Sequence, residues 1–556
     1  MARYQELPDP DEPQRERPRS RITAQVCKLA SALCLLACAA LVWRRPGQEE
    51  APALRGGSSL EAIAEQAQRR VAEVPLSEGR AVVGALSVHG RSFYGVPFGR
   101  AGRWEEPQPR LWEGVWDATS SSAVCMQPGG EAYGGMTEDC LQLSIFAPPQ
   151  VPLAGGAAQL PVLVWFFGGA FLGGGSFELT AKSVSHLVAG LSVVIVVPNT
   201  RVGVFGYLGS DALRRNSTGN WGTLDQKLAL QWVSDHIHHF GGDPKRVTIG
   251  GWSSGAASAS LFLTMPSSKQ LFHGALMMSG GFADWAAFSL TSAEATYRSL
   301  LQATGCESSV DCLAEGPPCR CLLDLPAQAL NAAQGTPQML SWAPVVDHVV
   351  VHSTPWAALG SGSIRQVPIM IGSTLEDSFP VLSTAATDTD FARWLKTTVP
   401  LELVSRAYSL YMDPNDELLT DDVHAGITQA YWEARRANAD RGQACVARRV
   451  ARRWPMGAWQ YFWKTRFRGE STAGFGPGIS HSSDQHFLFQ ERLPQAWVPA
   501  ARALQRAVAA FLHHHRPEQP WPSGGGEGLV FEQAGPVVSS IRPEQCSFWD
   551  EALAEE

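Results

Sequence analysis

The chain lacks a strong net charge, an internal repeat and any grouping of residues with metal-ligand spacing. Its 45 Lys and Arg against 53 Asp and Glu give a formal charge of −8 over 556 residues, which leaves no electrostatic signal for nucleic acid. Histidine clusters at 238–239 and 513–515 have no acidic or cysteine residues at ligand spacing. We therefore expect neither a metal nor another cofactor. Because no long linker follows residue 75, we expect one large domain there.

The first 75 residues have the features of a targeting region. A Pro-rich tail carries four arginines between residues 15 and 21, and an uncharged apolar run follows that is near the lower length limit for a bilayer span. A retained signal anchor fits the long basic tail, whereas a cleaved signal peptide fits the small residues around 37–39. Arg44 and Arg45 argue against the anchor. We favour a single-pass type II membrane protein over a secreted one, with a tail at 1–28, an anchor at 29–43, a stalk at 44–75 and a lumenal or extracellular domain at 76–556.

Cysteine usage agrees with an oxidising compartment. The chain has 11 cysteines, and three of them lie in or beside the apolar run. The remaining eight are an even number, as expected of a disulfide framework in an exported domain. Asn216 begins an Asn-Ser-Thr glycosylation acceptor in a polar segment.

Strand-like and helix-like patterns alternate along the large domain. Residues 160–167 and 192–198 are continuous apolar runs, typical of strands that are buried on both faces. Residues 225–236 carry apolar side chains at helical spacing. This alternation predicts an α/β fold with a large, mostly parallel central sheet and helices on both faces. Ligands in such folds bind beyond the carboxyl ends of the strands.

Residues 247–255, V-T-I-G-G-W-S-S-G, predict a nucleophile elbow. A β-branched strand runs into a turn with the pattern G-x-S-x-G, and a run of small residues follows. Glycines on both sides of the serine allow the strand and the next helix to approach closely, which leaves the hydroxyl exposed. Ser253 is therefore the candidate nucleophile.

A serine nucleophile needs a base, an acid and a site for the oxyanion. Glu376 and Asp377 follow a strand-like run at 367–371, and one of these two carboxylates stands where an acid is required. His481 follows another such run at 459–465. The order serine, acid, histidine is that of α/β-hydrolases. The amide of Ser254 and a Gly-rich turn after residues 160–167 are the expected oxyanion donors.

The chain resembles the type B carboxylesterase and cholinesterase family over residues 82–549. The matching blocks are YGVPF at 94–98, TEDCL at 137–141, NTRVGVFG at 199–206, GNWGTLDQKLALQW at 219–232, FGGDP at 240–244 and CSFW at 546–549. The resemblance implies the α/β-hydrolase fold. It also implies roles for Ser253 as nucleophile, Asp377 as acid, His481 as base, and the amides of Gly169, Ala170 and Ser254 as oxyanion donors.

The same resemblance implies a set of disulfide bonds. Cys125 is expected to pair with Cys140, and Cys445 with Cys546. Cys306 and Cys312 are expected to form a third bond, which leaves the pairing of Cys319 and Cys321 unassigned.

The chain also departs from the family pattern. Trp252 stands where an acidic residue usually precedes the nucleophile, Phe167 stands where His or Tyr is frequent, and Ser378 and Ser482 replace glycines after the acid and the base. Each change is sterically tolerable, but the carboxylate lost at residue 252 would have lain near the catalytic histidine.

Two functions follow from the resemblance. The complete triad favours a membrane-anchored serine carboxylic ester hydrolase that works through an acyl-enzyme. The alternative is a weakly active or inactive adhesion ectodomain with a cell-surface protein partner, since the family includes such members. Residues 126–139, the first disulfide loop, lack the Trp that binds choline and offer only Tyr133. We therefore expect a small neutral or apolar ester as substrate.

Overall fold

The computed structural model describes residues 71–553, with gaps at 77–78, 122, 150–158, 215–217, 315–318, 335–341, 413–425, 466–477, 490–492, 494 and 519. The expected tail, the anchor and Asn216 lie outside the described residues, as does the stalk up to residue 70. Among the helices that are described, none is long and apolar enough to cross a membrane.

The stalk assignment requires a correction at its end. Val71–Pro75 form a strand that pairs antiparallel with the next strand of the sheet. Ala72 and Val74 are buried, while Val71, Glu73 and Pro75 are exposed. This short alternation of period two was not recognised in the sequence, and the folded domain includes residues 71–75.

A single sheet of 13 strands organises the described part of the chain. Its order is β1-β2-β3-β5-β7-β6-β8-β9-β10-β11-β12-β13, and β4 pairs with β2. The strands are β1 Val71–Pro75, β2 Ala81–Ser87, β3 Gly90–Pro97, β4 Val115–Ala118, β5 Gln142–Ala147, β6 Leu160–Phe166, β7 Val194–Pro198, β8 Gly242–Trp252, β9 Gly274–Met278, β10 Ile369–Thr374, β11 Ala458–Trp463, β12 Gly528–Glu532 and β13 Gly535–Ser539.

The central strands are parallel, and the pairings toward the edges are antiparallel apart from β2 with β4, which is parallel. From β7 to β12 every neighbouring pair runs parallel. The pairings β1–β2, β2–β3, β3–β5, β5–β7 and β12–β13 are antiparallel. The sheet is therefore mixed, and its parallel part is the one that follows the long apolar runs.

Helices cover both faces of this sheet. Alternate residues of β6 enter two different hydrophobic clusters: Val162 and Val164 pack in one, and Leu163 and Trp165 in the other. Both faces of the strand are thus buried, which explains its continuous apolar sequence.

The helices lie between and after the parallel strands. They are α1 Gly203–Tyr207, α2 Trp221–His236, α3 Ser254–Phe262, α4 Leu290–Thr304, α5 Val310–Leu313, α6 Arg320–Leu323, α7 Ala327–Ala333, α8 Pro355–Ser361, α9 Asp388–Leu395, α10 Val404–Tyr411, α11 Gln429–Ala439, α12 Cys445–Arg453, α13 Ser483–Phe489, α14 Val498–His514 and α15 Pro543–Ala552. The alternation of strand and helix is the one that the sequence predicts.

Four disulfide bonds cross-link the domain. Cys125 is bonded to Cys140 and Cys445 to Cys546, the two pairs that the family resemblance implies. The expected bond between Cys306 and Cys312 is wrong. Cys306 is bonded to Cys321 and Cys312 to Cys319, because the two short helices α5 and α6 pack against each other and place the four sulfurs in two nested pairs.

The bond between Cys445 and Cys546 is expected to stabilise the domain more than the bond between Cys312 and Cys319. The first closes a segment of 101 residues and the second a segment of 7. In the chain-entropy description these loops correspond to about 4–5 and about 2 kcal/mol. Replacing each pair by two alanines and measuring urea unfolding under non-reducing conditions tests the difference. All four sulfurs are buried, so each double variant is the other's control, and equal losses would contradict the expectation.

Candidate active site

The turn after strand β8 holds Ser253 in a strained conformation. Ser253 has φ 54° and ψ −126°, a left-handed backbone that residues with a side chain rarely adopt. Its amide donates a hydrogen bond of 2.9 Å to the carbonyl of Met278 on the neighbouring strand. Helix α3 begins at the next residue. The strand-turn-helix geometry is that of the predicted elbow.

Glycine is required beside this turn because backbones approach closely there. A Cβ at Gly255 would overlap the carbonyl oxygen of Phe166, and one at Gly251 would overlap both that oxygen and the backbone of Gly255. A Cβ at Gly280 would overlap the carbonyl of Ser253 itself. The elbow is therefore packed against strand β6 on one side and the turn after β9 on the other.

The predicted acid and base are in direct contact. Asp377, three residues beyond strand β10, accepts a hydrogen bond of 2.5 Å at Oδ1 from Nδ1 of His481. Its Oδ2 accepts from the backbone amide of Thr374 at 2.9 Å. Asp377 is 2% exposed and His481 6%. With Nδ1–H donating to the carboxylate, Nε2 is the imidazole nitrogen that can accept a proton, and His481 lines the cavity described below.

Glu376 has a different task from its neighbour Asp377. Its carboxylate is buried, accepts a hydrogen bond of 3.0 Å from Nε of Arg436 at one oxygen, and accepts the amide of Ile479 at 2.7 Å at the other. The amide of Glu376 donates in turn to the carbonyl of Ile479 at 3.1 Å, and residues 376 and 480 form an isolated parallel bridge. Glu376 therefore joins the loop of the acid to the loop of the base, and Asp377 alone faces His481.

The Gly-rich turn after strand β6 presents backbone amides. Gly169, Ala170 and Phe171 all have positive φ, at 110°, 57° and 58°. In the described part of the chain, the amides of Gly169 and Ala170 donate to no carbonyl or side chain. The amide of Ser254 lies in the first turn of α3, where amides have no partner within the helix. These are the three donors that the sequence predicts.

One cavity connects these groups. It has a volume of about 1270 Å³, and Ser253, Asp377, His481, Gly169 and Ala170 all line it. The structure thus brings the predicted nucleophile, acid, base and two of the predicted oxyanion residues to a common surface. Within the described residues, no group of His, Cys, Asp and Glu has an arrangement that could hold a metal ion.

Comparison with known proteins identifies the family of the chain. The model of the family described as "Carboxylesterase family" matches residues 76–546. The chain belongs to the carboxylesterase family.

Individual relatives in the family are acetylcholinesterases. The chain is 33% identical to the acetylcholinesterase of Electrophorus electricus over 375 residues, 59% of this chain and 57% of the relative. It is 34% identical to that of Bungarus fasciatus over 339 residues, 54% and 53% of the two chains, and 32% identical to that of Danio rerio over 368 residues, 59% and 57%. The chain thus spans little more than half the length of these curated relatives.

This carboxylesterase-family chain has a carboxylate near residue 252 that the sequence analysis missed. The indole of Trp252 packs against Gly168, lies 5.9 Å from the ring of His481 between centroids, and donates a hydrogen bond of 3.1 Å to Oε2 of Glu178. Burial raises the pKa of Glu178 to about 7, against the lowering effect of its hydrogen bonds, first from Trp252 and then from Gln485. A carboxyl group from a different segment therefore lies next to the Trp that replaces the usual acid.

The two serines that replace glycines behave differently. Ser378 has ordinary backbone angles, since it is not among the residues with positive φ, and its hydroxyl donates to the carbonyl of Arg435 at 2.9 Å. Ser482 has φ 65°, where a glycine would be relaxed. The loop of the base is therefore strained at Ser482, while the loop of the acid gains a hydrogen bond at Ser378.

A second buried carboxyl lies close to the acid and the base. Asp484 is fully buried at the start of α13, and its Oδ2 lies 2.5 Å from the hydroxyl of Tyr461. Burial raises the pKa of Asp484 to about 7, the Tyr461 hydroxyl lowers it, and the nearby charge of Asp377 raises it further. Asp484 was not predicted, although its position three residues after His481 was a usable signal.

Removing the side chain of Glu376 is expected to cost more stability than its size suggests. Glu376→Ala removes the carboxylate that pairs with the buried Arg436 at 3.0 Å, and breaking one side of a buried pair costs about 3–5 kcal/mol. Urea unfolding of the variant measures the loss. Glu402→Ala, at an exposed position, is the matched control, and a similar small change in both variants would contradict the role of Glu376.

The contribution of Asp484 to stability is expected to fall as the pH rises from about 4 to about 7. The native carboxyl keeps its proton up to about pH 7, whereas an unfolded aspartic acid loses its proton near pH 4. The native state therefore binds more protons in this window, and one such group contributes a slope of up to about 1.4 kcal/mol per pH unit. Asp484→Asn should remove this negative contribution and make the slope of stability against pH more positive. The exposed Asp324→Asn should not, and an unchanged slope in Asp484→Asn would contradict the assignment.

Proposed function

We propose that this protein is a serine carboxylic ester hydrolase. The observation that supports it most directly is the buried hydrogen bond between Asp377 and His481, facing the same cavity as Ser253 on its strained elbow. Structural ion pairs are common in large domains, but one that shares a cavity with an elbow serine and a turn of free amides has the composition of a catalytic site.

The reaction would proceed in two steps. Asp377 holds the His481 ring with Nε2 toward the cavity, and Nε2 accepts the proton of Ser253 as its Oγ attacks the ester carbonyl. The amides of Gly169, Ala170 and Ser254 stabilise the negative oxygen of the tetrahedral intermediate. His481 then returns the proton to the leaving alcohol, and the acyl group stays on Ser253. In the second step His481 deprotonates a water molecule, which releases the carboxylic acid and restores the serine.

The cavity supports an ester with an apolar portion. Large apolar side chains form much of the wall that it shares with Ser253, namely Leu172, Phe282, Trp285, Trp356, Phe379, Val446 and Leu553. Tyr133, the only aromatic residue of the first disulfide loop, is 46% exposed and stacks on Phe177 at 3.8 Å, and neither ring lines the cavity. Recognition of a choline group by this loop is therefore not favoured.

We further propose an extracellular or lumenal catalytic domain held by a type II anchor at residues 29–43. The four disulfide bonds support an oxidising compartment. The anchor is supported by the sequence of the tail and the apolar run alone.

A fluorophosphonate probe is expected to label Ser253 with a stoichiometry of one. The probe reacts only with a serine whose hydroxyl is activated by a base. Intact mass spectrometry of the labelled protein gives the stoichiometry, and digestion identifies the residue. Ser253→Ala should abolish labelling, whereas Ser254→Ala, which keeps the backbone amide, should retain it.

Substitution of Asp377, the carboxylate that orients His481, is expected to slow the reaction without abolishing it. Asp377→Asn should slow labelling and ester hydrolysis by a factor of about 10³–10⁴, because the amide no longer holds the required tautomer. Circular dichroism establishes that each variant is folded. If folded wild-type protein is not labelled at all, the hydrolase proposal is wrong, and the adhesion alternative with a cell-surface partner takes its place.

A further inference from the structure

Four arginines line the cavity that contains Ser253. Arg449, Arg452 and Arg453 lie on α12, and Arg441 lies on the turn before it. This concentration of positive charge is unexpected in a chain whose formal charge is −8. A cavity lined by one sign of charge attracts ligands of the opposite sign, because its low-dielectric walls focus the field.

Most of this positive charge is not neutralised within the protein. The lining residues include three aspartates. Asp377 is engaged with His481, and Asp550 lies 3.5 Å from Nε of Arg449. The third, Asp284, is exposed. Within the described residues, the other three lining arginines form no ion pair, namely Arg441, Arg452 and Arg453.

Exposure places Arg452 and Arg453 toward the opening of the cavity. Ser253 is 8% exposed and marks the buried end. Trp356 is 36% exposed, and Arg452 and Arg453 are exposed as well. The guanidinium carbon of Arg453 stands 5.1 Å above the centre of the Trp356 ring, and that of Arg449 stands 5.5 Å from it. The stacking orders two long side chains at the opening before any ligand binds.

We propose that the arginines at the cavity opening bind an anionic group on the ester substrate, while the apolar wall and Ser253 receive the ester itself. This inference rests on the proposed hydrolase function. The guanidinium group is planar and donates two parallel hydrogen bonds to a carboxylate or phosphate, which suits it to this task. The substrate is thus an ester with an apolar chain and an anionic end, in place of the neutral ester expected from the sequence.

Matched esters test this preference. Mono-4-nitrophenyl adipate carries a carboxylate, 4-nitrophenyl heptanoate has an ethyl group in its place, and the 6-trimethylammoniohexanoate ester carries a cation. The expected order of kcat/KM is anion, neutral, cation, with about tenfold between the first two at low salt. The preference should shrink between 0.05 and 0.5 M NaCl, because salt screens the exposed arginines. A 4-nitrophenyl 6-phosphonooxyhexanoate arm separates carboxylate from phosphate as the preferred anion, and a preference for either supports the proposal.

Substitutions locate the preference. Arg441→Gln and the double variant Arg452→Gln/Arg453→Gln should each lower the ratio of kcat/KM for the adipate over the heptanoate severalfold. Arg448→Gln is the matched control, since Arg448 lies on the same helix and is not among the lining residues. A ratio that is unchanged in the lining variants, or lowered equally by Arg448→Gln, would overturn the assignment.

A binding measurement separates this inference from the hydrolase proposal. Ser253→Ala protein is titrated with the mono-4-nitroanilide of adipic acid and with heptanoic 4-nitroanilide, which need no turnover. Tighter binding of the adipate compound, lost in the Arg452→Gln/Arg453→Gln background, supports the anion site even if no esterase activity is found. Equal binding of both compounds overturns the anion site. The hydrolase proposal does not depend on this result, because it is tested by fluorophosphonate labelling of Ser253 in the wild-type protein.

Discussion

The buried ion pair between Glu376 and Arg436 is the interaction on which the rest of the site depends. Asp377 and His481 are 104 residues apart and follow different strands, so their contact of 2.5 Å requires two loops in fixed register. Glu376 provides that register through two hydrogen bonds with the backbone of Ile479. Arg436 supplies the opposite charge that a buried carboxylate requires, at 3.0 Å. The position next to the acid is thus as important for geometry as the acid itself.

The elbow at Ser253 costs conformational free energy, whereas the ion pair between Glu376 and Arg436 stabilises the site. Its backbone is strained, and the glycines around it contribute no side-chain packing. The parallel strands on both sides hold the strain, since β8 pairs with β6 up to Gly251 and with β9 up to Trp252. Helix α3, in which every residue is buried, holds it from the other end. A local conformation of high energy is therefore maintained by paired strands and a fully buried helix.

The features predicted correctly from the sequence are those with a local signal. The strand β6 and the turn at Ser253 are encoded within a few residues, by a continuous apolar run and by flanking glycines. The pairing of Cys306 was wrong because four cysteines within 16 residues allow three connectivities, and only the packing of α5 on α6 selects one. Glu178 was missed because it is 74 residues from Trp252 and is one of 53 acidic residues.

Trp252 and the lining arginines both make the cavity less negative. Trp252 removes a negative charge from the buried end, and the arginines add positive charge. A carboxylate directly before the nucleophile would place a fixed negative charge beside His481. Here that position is an indole, and burial raises the pKa of Glu178 behind it to about 7, so much of this charge is absent at neutral pH. An anionic ligand would therefore meet less repulsion at the buried end, while the exposed Arg452 and Arg453 attract it at the opening. Trp252, which replaces the usual acidic residue, and the positive charge of the cavity thus both favour an anionic ligand.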